Sequence, residues 1–238
     1  MINLEEIKGI IFDYGGTIDT NGDHWAEVLW DAYQEYHVPV TKEQFRESYV
    51  FAERAMATFP YVRKDFNFEK VLSVKIDLEL SFLEQEQTLD FDAINHRKLC
   101  SLLSSWCYHY AEKVLEITRN VICFLAESKK LVLVSNFYGN IRTILKDFKL
   151  DNCFQTVIES SVVGVRKPDP TIYQLGINAM NLPAREILVV GDSYGKDMVP
   201  AMTLGCRTAW IKGREWKHEK NDESKIDYVI TNLEQLIN

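Results

Sequence analysis

Acidic residues follow two apolar stretches of this chain, and each stretch has the composition of a buried strand. Residues 10–12 lead into Asp13, and residues 187–190 lead into Gly191 and Asp192. Because ligands of open α/β sheets bind beyond the carboxyl ends of the strands, these acids would face a crevice and not the core. Paired carboxylates without histidine or cysteine suit a hard, oxygen-seeking ion such as Mg²⁺. The sequence therefore predicts a magnesium site at one edge of a sheet.

A hydroxyl residue, an amide and a lysine occupy comparable places further along the chain. Ser135 and Asn136 directly follow the apolar residues 131–134, and Lys167 lies in a proline-rich loop that would hold its backbone stiffly. A metal ion and a fixed ammonium group can both hold a phosphoryl group, which would leave Asp13 free to attack phosphorus. This set of residues indicates phosphoryl-transfer chemistry.

The loop after Asp13 has the composition of an anion-binding turn. Gly15 and Gly16 allow the backbone to turn tightly and to bring its N–H groups close to a bound anion. Thr17 adds a hydroxyl donor. We therefore expect an anion to bind at this turn.

The elements that position these residues follow from the hydrophobic pattern. After the first strand, apolar residues recur at helical spacing for about a hundred residues, which predicts a helical insertion with its own small core. Within it, Thr41 and Gln44 form a plausible capping box, and Pro60 should end the same helix. From about residue 117, strand and helix patterns alternate, which indicates parallel βαβ units. The predicted fold class is α/β, with a doubly wound, mostly parallel sheet.

The composition sets limits on function. The chain has 238 residues, enough for a large domain or for a core with an insertion, and its 46% hydrophobic and 26% charged residues are typical of a globular protein. A formal net charge of −8 argues against a nucleic-acid-binding protein, which would carry a basic face. No apolar run approaches the roughly 20 residues that cross a bilayer, and we see no secretory signal. We expect a soluble, cytoplasmic protein without a membrane or nucleic-acid partner, and no signal of oligomeric state is present.

The five cysteines support the same location. They are widely spaced and form no C-x-x-C pair. This pattern predicts buried thiols in a reducing compartment and argues against a disulfide or a zinc site.

Four segments, taken in order, resemble the hallmark motifs of the haloacid dehalogenase (HAD)-like hydrolase superfamily. Those hallmarks are an Asp-x-x-Gly-Thr loop, a Ser or Thr after the next apolar strand, a Lys before a Pro, and a Gly-Asp loop with a second Asp further on. Here they are Asp13 to Thr17, Ser135-Asn136, Lys167-Pro168, and Gly191-Asp192 with Asp197. The resemblance implies a Rossmann-like catalytic core at residues 1–18 and 116–238. It also implies an α-helical cap domain at residues 19–115, inserted after the first motif.

The resemblance implies a metal site. Asp13, the backbone carbonyl of Gly15 and the side chain of Asp192 would bind Mg²⁺. Asp197 would support the ion or its waters from outside the set of ligands.

The resemblance also implies a phosphate site. Asp13 would be the nucleophile that forms an aspartyl-phosphate. Ser135 would hydrogen-bond the phosphoryl oxygens with the help of the backbone N–H of Asn136, and Lys167 would stabilise the charge shared by nucleophile and phosphoryl group.

Gly15 departs from the usual pattern. Most phosphatases of the superfamily carry a second Asp at this position, where it protonates the leaving group and later activates water. General acid–base catalysis contributes roughly 10² to 10⁴ in rate, so alkoxide leaving groups should suffer most and acyl or aryl phosphates least. Asp19 or His24, just downstream, or water would have to move the proton instead.

Three functions fit these residues. The favoured one is a Mg²⁺-dependent phosphatase, a phosphoric monoester hydrolase acting on a small phosphorylated metabolite. The second is a 2-haloacid dehalogenase, a branch that also lacks the second Asp but needs no metal, and Asp192 argues against it. With this second function belongs a phosphonate-cleaving variant of the fold, which also lacks the second Asp but depends on a cap lysine that the sequence does not identify. The third is a catalytically weak binding or regulatory protein with the HAD fold.

Overall fold

Parallel strands form the centre of the molecule. The computed structural model describes residues 2–90, 92–216 and 221–237, and this part of the chain contains a sheet of six strands. The strands are β1 (Gly9–Phe12), β2 (Lys130–Ser135), β3 (Thr156–Glu159), β4 (Ile187–Gly191), β5 (Arg207–Ile211) and β6 (Tyr228–Ile230). Their order is β3-β2-β1-β4-β5-β6, and each neighbouring pair is parallel. The prediction of a doubly wound, parallel α/β sheet is confirmed.

The direction of the chain across the sheet reverses beside β1. From β1 the chain proceeds outward through β2 and β3, then returns to β4 on the other side of β1. All residues of β1 and β4 are buried, as expected for strands covered on both faces. Where strand order reverses, the loops after the two adjacent strands leave in opposite directions and open a crevice. The carboxyl ends of β1 and β4 therefore border one crevice.

Alternate residues of the central strands pack into two separate cores. Ile10 and Phe12 belong to a large core that includes helices inserted after β1, whereas Ile11 faces a smaller core. That smaller core includes helix α7 (Thr171–Met180). The helices that connect the later strands are α5 (Ile141–Asp147), α6 (Ser160–Val163), α7 (Thr171–Met180) and α8 (Val199–Thr203).

The residues between β1 and β2 are largely helical, as predicted. The helices are α1 (Trp25–Glu35), α2 (Lys42–Thr58), α3 (Phe68–Gln85) and α4 (Ala93–Ala126). The capping box of Thr41 and Gln44 is present at the start of α2. Helix α2 ends two residues before Pro60, so this boundary was also correctly predicted.

Helix α4 is longer than the sequence suggested. The sequence pattern ends the helical insertion before about residue 117 and begins the alternating strands and helices there, but α4 is continuous across this point over 34 residues, or ~50 Å. No glycine or proline interrupts it, and its buried residues recur from Cys100 to Leu125. It packs against α1 and α3 of the insertion and against β2 of the sheet. Because it runs from residue 93 to residue 126, it crosses the proposed domain boundary at residue 115. The division into two domains stays a prediction. No helix among the described residues, α4 included, is long and apolar enough to cross a membrane.

The cysteines divide into two groups. Cys100, Cys107 and Cys206 are buried, as predicted. Cys123 and Cys153 are only half-buried, and their Sγ atoms lie 3.0 Å apart. The prediction of buried thiols is therefore wrong for these two residues, because the end of α4 and the segment before β3 meet near the surface.

An acidic side chain lies inside the helical layer, away from the sheet. Glu79 on α3 is fully buried, and its Oε2 accepts a hydrogen bond from the Tyr33 hydroxyl at 3.1 Å. Its Oε1 has no hydrogen-bond partner among the described residues. Burial, only partly offset by the charge of Lys75, raises the pKa of Glu79 from 4.5 to about 8. Glu79 is therefore protonated at neutral pH.

We expect Glu79 to make stability depend on pH. Because its pKa is raised on folding, the folded state binds the proton more tightly, and the free energy of unfolding falls as pH rises from about 4.5 to about 8. Glu79→Gln removes this dependence, since the amide stays neutral. Urea denaturation measures the free energy of unfolding of both proteins. Relative to wild type, the value for the variant should rise by on the order of 4 kcal/mol between about pH 5 and about pH 8.5. Glu47→Gln, at an exposed position on α2, should show no such gain, and a constant difference for Glu79→Gln would contradict the assignment.

Candidate active site

A cavity of about 930 Å³ opens at the carboxyl ends of the central strands. The loops after β1, β2 and β4 form one side of it, and residues of α2 and α3 form another. Its volume is in the range of small-molecule sites. The structure brings every site residue predicted from the sequence to this cavity: Asp13, Gly15, Ser135, Asn136, Lys167, Asp192 and Asp197. Their roles are not decided by this placement and stay predictions.

The ammonium group of Lys167 lies between two carboxylates. Its Nζ is 2.6 Å from Oδ1 of Asp13 and 2.7 Å from Oδ1 of Asp197, and all three residues are buried. Burial alone would lower the pKa of Lys167, but the two carboxylates outweigh it and raise the pKa. Lys167 is therefore held as a cation directly beside Asp13.

The side chain of Asn136 holds the backbone of Lys167. Its Oδ1 accepts the N–H of Lys167 at 2.9 Å, and its Nδ2 donates to the carbonyl of Lys167 at 3.1 Å. The sequence suggested only a backbone role for Asn136. The side-chain role was missed because it requires the loop after β2 to meet the loop before α7.

Three acids approach one another at the end of β1 and β4. One carboxylate oxygen from each of Asp13, Asp192 and Asp197 lies within 4.8 Å of the others. Burial raises the pKa of Asp192 well above its usual value, and the charges of Asp197 and Asp13 add to the shift. Burial also raises the pKa of Asp13, although Lys167 acts against it. Since the site offers oxygen ligands and excess negative charge, it fits a hard divalent cation such as Mg²⁺.

Asp197 is already engaged through both carboxylate oxygens. Its Oδ1 accepts hydrogen bonds from Lys167 and from the Tyr173 hydroxyl, each at 2.7 Å. Its Oδ2 accepts the N–H of Ser193 at 2.9 Å. A Cβ at Gly191 would lie 2.5 Å from the Cβ of Asp197, so this approach requires glycine there. Tyr173 was missed from the sequence because an aromatic on the buried face of a helix usually indicates core packing.

The loop after β1 is hydrogen-bonded to the loop after β4. Thr17 Oγ1 accepts the N–H of Asp192 at 3.0 Å and lies 3.2 Å from Oδ1 of Asp192. The Nε1 of Trp210 donates to the carbonyl of Asp192 at 2.7 Å. The Thr17 hydroxyl, expected to donate to a bound anion, is therefore occupied by Asp192 and helps to fix that carboxylate.

The two glycines of the first loop have different surroundings. Gly16 has φ +92°, and a Cβ there would lie 2.5 Å from Oδ2 of Asp192. Gly15 is half-buried, and the nearest atom to a Cβ there would be Cδ1 of Trp25 at 4.0 Å. The position of the missing second acid is therefore open to a side chain.

Asp19, a candidate for the missing proton carrier, lines the cavity but is bonded to the loop. Its Oδ1 accepts the N–H of Gly16 at 2.8 Å, and its Oδ2 accepts Nε1–H of Trp25 at 2.9 Å. Burial outweighs these hydrogen bonds and raises the pKa of Asp19 to about 7. Asp19 can therefore exchange a proton near neutral pH, and it also shapes the loop.

His24, the other candidate for the missing proton carrier, has a structural role. It is the N-cap of α1, where its Nδ1 accepts the N–H of Ala26 at 3.1 Å, and its ring stacks on Trp216 with centroids 5.6 Å apart. Burial, aided by the charge of Lys196, lowers the pKa of His24 to about 4. The ring is therefore neutral at pH 7 and cannot serve as a general acid in its protonated form.

Alanine should lower the free energy of unfolding at Gly16 but leave it nearly unchanged at Gly15. Gly16→Ala forces a side chain into the left-handed region and against Asp192, so we expect a loss of about 2 kcal/mol or more in the free energy of unfolding. Gly15→Ala should change it by less than about 0.5 kcal/mol. Urea denaturation of both variants tests this, and equal effects would contradict the described loop geometry.

Comparison with known proteins identifies the family of this chain. The family model of haloacid dehalogenase-like hydrolases matches residues 7–201. The glyceraldehyde 3-phosphate phosphatase of Pyrococcus furiosus is 36% identical over 90 residues, which are 37% of this chain and 38% of that protein. The matched region thus spans well under half of that relative.

Two solved structures share the fold. The HAD-hydrolase YfnB from Bacillus subtilis, bound to magnesium, is 20% identical with a TM-score of 0.59, over 97% of this chain and 96% of that one. A dehalogenase with an intermediate complex is 17% identical with a TM-score of 0.64, over 99% of this chain and 97% of that one. At these identities the likeness shows the fold alone. From the family match over most of its length and the parallel sheet, the chain belongs to the haloacid dehalogenase-like hydrolases.

Proposed function

We propose that the protein is a Mg²⁺-dependent phosphatase that hydrolyses monoesters of a small phosphorylated metabolite. The observation that carries the proposal is the cluster of buried Asp13, half-buried Asp192 and buried Asp197, with the ammonium of Lys167 against Asp13. It combines a carboxylate nucleophile, oxygen ligands for a divalent ion and a fixed cation. The name of the Pyrococcus furiosus relative, a phosphatase, and the magnesium bound to YfnB support it.

Asp13, Asp192 and the backbone carbonyl of Gly15 would hold the metal ion. When bound, Mg²⁺ supplies positive charge that stabilises the phosphoryl oxygens. Asp197 has both oxygens engaged with Lys167, Tyr173 and Ser193, which suits support of the site from outside the ligand set.

Asp13 would attack phosphorus and form an aspartyl-phosphate, which water then hydrolyses. Ser135 lines the cavity at the end of β2, where its hydroxyl and the backbone N–H of Asn136 would donate to the phosphoryl oxygens. Lys167 lies 2.6 Å from the nucleophile and would stabilise the negative charge that nucleophile and phosphoryl group share in the transition state.

The open position at Gly15 limits the leaving group. Gly15 offers no acidic side chain at the position where most phosphatases of the superfamily carry one, and Asp19 is hydrogen-bonded to the loop through both oxygens. We therefore propose substrates whose leaving group is acidic enough to depart with little protonation, such as acyl or aryl phosphates.

Replacement of the nucleophile tests the activity. Wild-type protein should release phosphate from 4-nitrophenyl phosphate with Mg²⁺ and not with EDTA, and Asp13→Asn should lower kcat by more than ~10³-fold because the amide cannot attack phosphorus. Asp151→Asn, at an exposed position after α5, serves as the matched control and should retain full activity. Chloride release from 2-chloropropionate without metal, or no phosphate release by wild type, would contradict the proposal.

Gly15→Asp tests the missing proton carrier. The position is open, so the added acid should fold in place and raise kcat for an alkyl phosphate by ~100-fold, while an aryl phosphate changes little. The Gly15→Asn side chain has nearly the same size but no acidic proton to transfer, and we expect no such gain. An unchanged ratio of alkyl to aryl activity in Gly15→Asp would show that this proton is supplied elsewhere.

A further inference from the structure

An ion pair lies in the part of the cavity wall that α2 and α3 provide. Glu53 on α2 and Lys75 on α3 join through Oε1 and Nζ, and both line the cavity. The other residues that these two helices contribute include Met56, Val71 and Leu72, so this wall is mostly apolar. A pair that only fastened two helices could be replaced by apolar side chains at little or no cost in stability. Its place in the cavity points to a role in binding.

Lys75 has little capacity for a further partner. Besides its bond to Glu53, its ammonium lies 5.2 Å from the ring centroid of Tyr49. Only 11% of its side chain is exposed. Burial would lower the pKa of Lys75, but Glu53 outweighs it and the pKa is raised. Lys75 is therefore a fixed cation whose contacts orient Glu53.

Glu53 is the more exposed residue of the ion pair. Its side chain is 39% exposed, and its Oε2 has no hydrogen-bond partner in the described part of the chain. Burial would raise the pKa of Glu53, but Lys75 outweighs it and lowers the pKa. An ionised carboxylate only accepts hydrogen bonds. The cavity therefore presents a free acceptor on the wall provided by α2.

The phosphate site and Glu53 belong to the same cavity. Ser135 and Tyr138, three residues later in the loop after β2, line this cavity together with Glu53 and Lys75. A substrate with its phosphate at Asp13 would extend its leaving group into the volume that Glu53 borders.

We propose that Glu53 is a specificity residue that accepts a hydrogen bond from a hydroxyl or ammonium group on the leaving group of the substrate, with Lys75 as its positioning residue. The proposal rests on the phosphatase function proposed above. It selects leaving groups that carry a hydrogen-bond donor, and it disfavours those with a second anion, which Glu53 would repel.

A matched set of aryl phosphates tests the proposal. The probes are 4-ethylphenyl, 4-(2-hydroxyethyl)phenyl and 4-(2-aminoethyl)phenyl phosphate, which share a phenolic leaving group and differ only in the terminal group. Wild type should hydrolyse at least one donor-bearing probe with kcat/KM ~10-fold or more above that of the ethyl probe, as expected for a hydrogen bond to a charged acceptor. The two donor-bearing probes distinguish a hydroxyl from an ammonium partner.

Glu53→Gln should remove this preference. We expect kcat/KM to fall ~10-fold for the preferred probe and by less than ~3-fold for the ethyl probe, because the chemical step is unchanged. Lys75→Met should reduce the preference in the same way by releasing the carboxylate of Glu53. Glu47→Gln, exposed on the same helix, is the control and should leave all three values unchanged.

Two results would overturn the proposal: equal values for the three probes in wild type, or a preference that survives in Glu53→Gln. If wild type hydrolyses none of them, calorimetric binding of 4-(2-aminoethyl)phenol, 4-(2-hydroxyethyl)phenol and 4-ethylphenol still decides the role of Glu53. The phosphatase function itself fails only if 4-nitrophenyl phosphate is not hydrolysed either. Tighter binding of a donor-bearing phenol that is lost in Glu53→Gln supports the role of Glu53. Equal binding of the three phenols overturns it.

Discussion

The contact between the Lys167 ammonium and the carboxylates of Asp13 and Asp197 determines the electrostatics of the site. Each of these groups is buried, where an isolated charge would be costly; Lys167 stabilises both carboxylates, and they in turn stabilise its ammonium. Asp192 adds a further carboxylate within 4.8 Å, which leaves the group with excess negative charge. Burial raises the pKa values of Asp13 and Asp192, and the charge of Asp197 adds to both shifts. The excess negative charge gives a divalent cation a physical reason to bind.

The sheet topology brings these charges together. Because β1 lies between β2 and β4, the loops that carry Asp13, Ser135 and Asp192 open into one crevice. Glycine at residues 16 and 191 then allows backbone and carboxylates to approach more closely than any larger residue would permit. Asp192 donates its N–H to Thr17 and accepts a hydrogen bond from Trp210, so the acids are held near one another before any ligand binds.

The sequence was informative wherever local pattern decides structure. Apolar runs that end at Asp13, Ser135 and Asp192 predicted both the strands and the edge at which these side chains meet. The pattern could not show that Tyr173 bonds Asp197, or that Glu53 and Lys75 face the cavity, because a buried aromatic and a helical charge pair usually have structural roles. Helix α4 was divided too early, since its continuity depends on packing along its whole length.

The central claim is that this arrangement of acids around one lysine binds Mg²⁺, and calorimetric titration of Mg²⁺ into the metal-free protein tests it most directly. We predict one ion bound per chain, with binding lost in Asp192→Asn and retained in Asp151→Asn. Failure of the wild-type protein to bind Mg²⁺, or undiminished binding by Asp192→Asn, would contradict this account.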